Sequence, residues 1–192
     1  MGRRQPGTAI ADYQTNLGIA LVERGDLKAA EPYFRDSLDI CRKPTVPIRQ
    51  TVNVLAAYGR MLIATGKLDA ADAMLTESLS LRQAQFGKSH PVVAGSLLGM
   101  AALRMAQKRC GDAVPLSREA LGSAREFLPV LHALTATAAL SLARALQVCG
   151  NAAEARPLAD EALNIRTQLM PGGSWQIGEA RRFADRTRIP HN

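Results

Sequence analysis

Leu17-Gly18-Ile19-Ala20-Leu21-Val22-Glu23-Arg24-Gly25-Asp26-Leu27-Lys28-Ala29-Ala30-Glu31-Pro32-Tyr33-Phe34-Arg35-Asp36-Ser37-Leu38 is the stretch that decides the fold. Leu17, Ala20 and Leu21 fall at helical spacing, and so do Leu27, Ala30, Phe34 and Leu38 beyond the break, so the segment predicts two short amphipathic helices. Gly25 can take the left-handed conformation that closes the first helix. Asp26 stands where a side chain can cap the next helix by accepting from its free N–H groups.

Outward from this hairpin the pattern recurs. Ala30, Ala71, Ala113 and Ala155 follow one another at a step of 41 to 42 residues, and Leu38, Leu79, Leu121 and Leu163 keep the same step. A period in the range of about 20–50 residues marks stacked units that bury their apolar faces on one another. The expected fold class is all-α, with four helix hairpins near 9–43, 50–85, 91–127 and 132–170 and a closing helix at 175–188. They are expected to form one domain over 9–188, between a flexible segment at 1–8 and a tail at 189–192. Small residues at the alanine positions allow paired helices to approach closely, where larger ones would overpack them.

Pro32, Pro115 and Pro157 share one repeat position, two residues after the landmark alanine. An interior proline normally costs a helix about 3 kcal/mol or more, so three coincidences point to a designed feature early in each second helix. Asn151 followed by Glu154 has capping-box spacing. The third unit is irregular, because Lys108 replaces the glycine found at 25, 66 and 150 and Gly111 comes three residues late. A longer helix or a reshaped turn is expected there. His90 and His132, 42 residues apart in equivalent loops, are expected to serve loop structure rather than a metal, and Trp175 is expected to pack against the end of the last hairpin.

The composition, 47% hydrophobic over 192 residues, describes a chain able to build a core. No run approaches the ~18 apolar residues of a membrane span, and an intracellular, cytoplasmic setting is expected. Cys41, Cys110 and Cys149 are odd in number and lack CxxC spacing, so buried free thiols are expected rather than a disulfide or zinc cluster. The net charge of +7 favours acidic partners, while 4% aromatic residues offer little stacking surface for single-stranded nucleic acid. Neither GxGxxG nor GxxxxGK[ST] occurs, and no nucleophile–base pair is visible. The reading is therefore non-catalytic, with no cofactor and no metal.

Leu17-Gly18, Gly25-Asp26-Leu27, Ala30-Glu31-Pro32, Phe34, Leu38 and the inter-repeat Gly87-Lys88-Ser89-His90-Pro91 resemble the tetratricopeptide repeat, in the longer variant of about 42 residues found in kinesin light chains and many bacterial proteins. The resemblance covers roughly Thr8 to Arg188. It implies a right-handed superhelical solenoid whose first helices line a groove for a peptide or protein partner. By the family pattern Asn16, Asn53, Arg60, Leu98, Met105, Ser141, Arg144, Arg182 and Arg186 would face that groove, with Asp12, Thr15, Ile19, Ala56, Ala57, Leu140 and Gln147 beside them. Only Asn16 keeps the asparagine that relatives place before the Leu-Gly pair; Ala57, Gly99 and Ser141 stand elsewhere. The arginines suit an acidic or phosphorylated segment, and reversing the charge of Arg60 and Arg144 is expected to leave folding intact. The pattern is also similar to the tetratricopeptide tails of bacterial serine/threonine kinases, which makes a detached signalling tail the alternative reading and a nucleic-acid-associated regulator the weaker one. A stand-alone adaptor should show a polar outer face on the closing helix, a truncated tail an exposed Phe183 and Ile189.

Overall fold

The computed structural model describes residues 6–171 and 173–188. Residues 1–5 of the expected flexible segment, Gly172, and the tail with Ile189 lie outside them. Among the described residues there are nine helices and no strand: α1 (Pro6–Glu23), α2 (Leu27–Cys41), α3 (Ile48–Ala64), α4 (Leu68–Phe86), α5 (Pro91–Ala106), α6 (Cys110–Phe127), α7 (Ala133–Val148), α8 (Ala152–Leu169) and α9 (Trp175–Arg188). They fall into two compact units, Met1–Gly87 and Lys88–Asn192.

In the first unit α1 pairs with α2 and α3 with α4, and α3 also touches α1 and α2. Gly18 and Gly59 face Phe34 and Leu75: a Cβ on Gly18 would lie 2.9 Å from the Phe34 ring, and one on Gly59 would lie 2.6 Å from Leu75 Cγ. A bulky side chain on the second helix therefore requires none on the first. Phe34 in turn stacks on Tyr58, ring centroids 5.7 Å apart. Thr15 and Ser37 share a buried hydroxyl bond of 2.7 Å, and Ser37 donates to Ala11 O.

In the second unit α5 pairs with α6, α7 with α8, and α9 closes on α8. Ala101 and Ala143 occupy the repeat slot of the two glycines, opposite Ser117 and Ala159 in the slot of Phe34 and Leu75. Here neither helix of the pair carries a bulky side chain. Ala101, Ala113 and Ala145 form an all-alanine cluster where α5, α6 and α7 meet, with Met105, Val114 and Leu116 against it. Ile177, Ala180, Phe183 and Ala184 bury one face of α9, while Arg181, Arg182 and Asp185 stay on its outer side. Trp175, expected to pack, is instead 73% exposed. It is the first residue of α9, ahead of the buried stripe.

All four landmark alanines are fully buried, and Leu38 and Leu121 are buried with them; Leu79 and Leu163 are half-buried. The three prolines are each the sixth residue of their helix and lie on its outer side. The carbonyl each one frees, four residues earlier, is on that same water-facing side, which limits the cost of the lost bond.

The four turns share one closing hydrogen bond. Asp26 N donates to Leu21 O at 2.8 Å, Lys67 N to Leu62 O at 2.9 Å, Arg109 N to Arg104 O and Asn151 N to Leu146 O at 2.8 Å, the bond of a Schellman ending. Lys108 supplies the left-handed residue of the third turn at φ 61°, so neither a longer helix nor a reshaped turn is needed there. A non-glycine residue in this region costs about 1–2 kcal/mol. Lys108→Gly is accordingly expected to stabilise the second unit by about 1 kcal/mol, read as a higher urea midpoint at unchanged m-value.

The caps differ in part from expectation. Asp26 makes no side-chain cap bond and pairs with Arg24 at 3.5 Å. Asn151 Oδ1 accepts from Glu154 N at 3.3 Å, but its backbone N–H belongs to the turn, so Glu154 accepts instead from Asn151 Nδ2 at 3.0 Å. His90 and His132 are N-caps, each with Nδ1 accepting from the backbone N–H two residues on, which bears out their structural role.

The cysteines divide. Cys41 is a buried free thiol as expected, its pKa pushed up by burial. Cys110 and Cys149 are bonded to each other across 39 residues, with Cα atoms 5.7 Å apart, which overturns the expectation of free thiols. Sequence spacing gave no hint because the two meet only once the third and fourth turns lie side by side.

Candidate functional site

In the first unit α1 and α3 bring Asn16, Asn53 and Arg60 to the wall of one cavity of about 250 Å³. Asp12, Ile19 and Ala56 complete that wall, and Arg82 reaches it from α4. Arg82 donates to Asn53 Oδ1 at 3.4 Å. Thr15 also borders the cavity, but its hydroxyl is committed to Ser37. Ala57, expected beside them, is buried.

Burial holds the Arg60 guanidinium below its ordinary pKa, and burial followed by the charge of Arg60 does the same to Arg82. Arg60 nonetheless keeps solvent-accessible surface. Both facts fit a side chain on a concave wall, where water reaches the tip while surrounding protein weakens solvation of its charge; accessibility governs contact with a ligand, desolvation the cost of the charge. No carboxylate among the described residues pairs with Arg60. Its charge is thus incompletely compensated, a situation that an incoming anion relieves.

In the second unit Met105, Arg144, Gln147, Val148, Phe183 and Arg186 line a larger cavity of about 550 Å³. Arg144 is already engaged there. Its Nη2 donates to Glu179 Oε1 at 2.7 Å, and its guanidinium carbon sits 5.9 Å from the centre of the Phe183 ring. Glu179 also accepts from Arg166 at 3.1 Å, and Arg166 donates to Gln176 O at 2.8 Å. Charge reversal at Arg144 would therefore disturb the seating of α9, contrary to the expectation that folding would ignore it. Gln147 Oε1 is buried without a hydrogen-bond partner.

The remaining candidates do not join these walls. Ser141 Oγ lies 3.0 Å from Ser117 Oγ and so points at α6. Leu140 is buried, Leu98 half-buried and Arg182 exposed, and none lines either cavity. Arg82 was missed because the family pattern assigns the groove to first helices; a long basic side chain near the end of a second helix was the available signal. Among the described residues no group of three or more His, Cys, Asp or Glu side chains could hold a metal ion. No helix among them is long and apolar enough to cross a membrane.

Comparison with known proteins bears on the fold. A search of curated proteins finds no match. Among solved structures, the chain is similar to a putative kinesin light chain of Podosopora anserina with nearly identical TPR-like repeats, at 17% identity and a TM-score of 0.74, covering 96% of this chain and 87% of that one. It is also similar to BtubC (BKLC) from P. vanneervenii, at 16% identity and a TM-score of 0.73, covering 95% and 78%. Likeness at such identity speaks for the fold alone. The family profile described as tetratricopeptide repeat matches residues 10–43, 51–92 and 135–171. That is more than half of the chain, and it passes over the hairpin that carries Lys108 and Cys110. With its repeat period, its four Schellman-closed hairpins and this match, the chain belongs to the tetratricopeptide repeat family.

Proposed function

We propose that this chain is a protein-interaction module whose first unit binds an acidic or phosphorylated segment of a protein partner. Tetratricopeptide repeat folds generally serve as protein–protein interaction scaffolds, which supports the broader part of this reading. The observation that carries the finer part is the pair Arg60 and Arg82, desolvated and mutually repelling on one cavity wall. A carboxylate or phosphate would restore to them what burial removes. Asn16 and Asn53 can bond a peptide backbone beside it, and Asp12 can accept from a backbone N–H. Arg144, already paired with Glu179, is not assigned this role. The same chemistry would serve a free-standing adaptor or, as the alternative, a tail carried by a bacterial serine/threonine kinase.

The test is fluorescence polarisation of labelled acidic peptides against the same peptides with carboxylates amidated. Acidic peptides are expected to bind more tightly, and Arg60→Glu to weaken them by about tenfold to a hundredfold, the worth of one charged hydrogen bond. Stability should move by no more than about 0.5 kcal/mol. Equal binding of both peptide sets, or an Arg60→Glu protein that binds acidic peptides as before, would overturn the reading.

A further inference from the structure

The Cys110–Cys149 disulfide sits unlike the third cysteine. Cys41 is buried, whereas Cys149 is exposed at the end of α7 and Cys110 is half-buried as the first residue of α6. The bond joins the turn between α5 and α6 to the turn between α7 and α8. Beneath it α5, α6 and α7 meet through the buried Ala101, Ala113 and Ala145, side chains that bury little area per contact. The helix ends it ties together carry cavity walls: Met105 lies five residues before Cys110, and Val148 directly precedes Cys149.

We propose that this cystine is a thiol-exchange site, opened at Cys149 Sγ by low-molecular-weight thiols of the glutathione class, and that opening it loosens the end of α7 that walls the second unit's cavity. A thiolate attacks the exposed Cys149 sulfur, forming a mixed disulfide as the protein S–S bond breaks. Cys110 leaves as a thiolate and takes up a proton. It is the better leaving group, since the N-terminus of α6 stabilises negative charge there. The flanking charges are Lys108, Arg109 and Asp112, of which the last two pair with each other. A second thiol then attacks the mixed disulfide, releasing Cys149 and a small-molecule disulfide. Two thiols are oxidised and one cystine is reduced, so electrons and protons balance. This inference does not depend on the acidic-ligand reading, which concerns the first unit.

The test uses the intact chain equilibrated in glutathione buffers of graded ratio, then acid-quenched, unfolded and alkylated. Mass spectrometry should count one alkylated cysteine, Cys41, at the oxidised end and all three at the reduced end. The mixed disulfide with glutathione should be found on Cys149 in preference to Cys110. Hydrogen exchange of the backbone from 144 to 150 should speed up by about tenfold or more on reduction, with α1–α4 as the internal control. A cystine that stays closed in the folded protein under excess reduced glutathione, or attack at Cys110, would overturn the exchange site. Unchanged exchange at 144–150 after complete reduction would overturn the loosening. The readouts use the natural sequence, so they stand even where Cys149→Ser fails to fold.

Discussion

Phe34→Ala is expected to lower the stability of the first hairpin by about 3–5 kcal/mol, as truncating a fully buried phenylalanine does elsewhere. Phe34 has no exposed surface, it fills the space that Gly18 leaves open, and it stacks on Tyr58 of the neighbouring hairpin. Both contacts vanish in the variant. Native-state hydrogen exchange of α1 and α2 would record the loss as accelerated exchange of their slowest amides. The glycine explains why the cost is local and reversible: in the Phe34→Ala background, Gly18→Ala should become favourable, regaining up to about 1 kcal/mol of helix propensity. With Phe34 present the same change should be adverse. That reversal of sign is the coupling a double-mutant cycle measures, and its absence would mean that Phe34 and Gly18 are not complementary.

Glu179→Ala is expected to cost the second unit about 3 kcal/mol, the low end of the range for breaking a buried ion pair, because the carboxylate keeps 29% of its surface while Arg166 keeps 8%. Its removal leaves Arg166 with only the Gln176 carbonyl and frees Arg144 from its partner. Helix α9 should fray first. The pH dependence has a definite sign. Burial raises the Glu179 pKa, but hydrogen bonds and charge from Arg144 and Arg166 outweigh it and hold the value below the ordinary 4.5. The folded state therefore binds fewer protons than the unfolded one. Its contribution is complete above the ordinary carboxylate range and is lost as pH falls through the depressed value. Urea unfolding from pH 7 downward should show wild type and Glu179→Ala converging in strong acid; parallel curves would remove Glu179 as the cause.

Much of the fold could be read from residue order, because the repeat writes its packing several times over. The alanines at 30, 71, 113 and 155 are all buried, and the turn glycines at 25, 66 and 150 all adopt positive φ. The third turn was misjudged for a physical reason: local propensity places the turn at Gly111, while the packing register set by Ala113 demands it at Lys108. Packing outweighs roughly 1–2 kcal/mol of backbone cost. The disulfide, the Glu179 clamp and the placement of Arg82 were not legible at all. The disulfide, the Arg144–Glu179 pair and the Arg82–Asn53 bond join groups 29 to 39 residues apart, and no local pattern specifies such a meeting. For the candidate site, the family pattern placed Asn16, Asn53 and Arg60 on one groove, and all three line one cavity, but that pattern could not reveal which arginines already have acidic partners.

The inter-hairpin charges carry one more implication. Arg42 pairs with Glu77 at 3.7 Å in the first unit, and Arg125 pairs with Glu161 at 2.5 Å in the second. Counted along the period, these are the same two slots. First and third hairpins thus offer the same plug, second and fourth the same socket, so a duplication that copied hairpins two at a time would have carried its own mating code. Copying them singly would have had to invent one afresh.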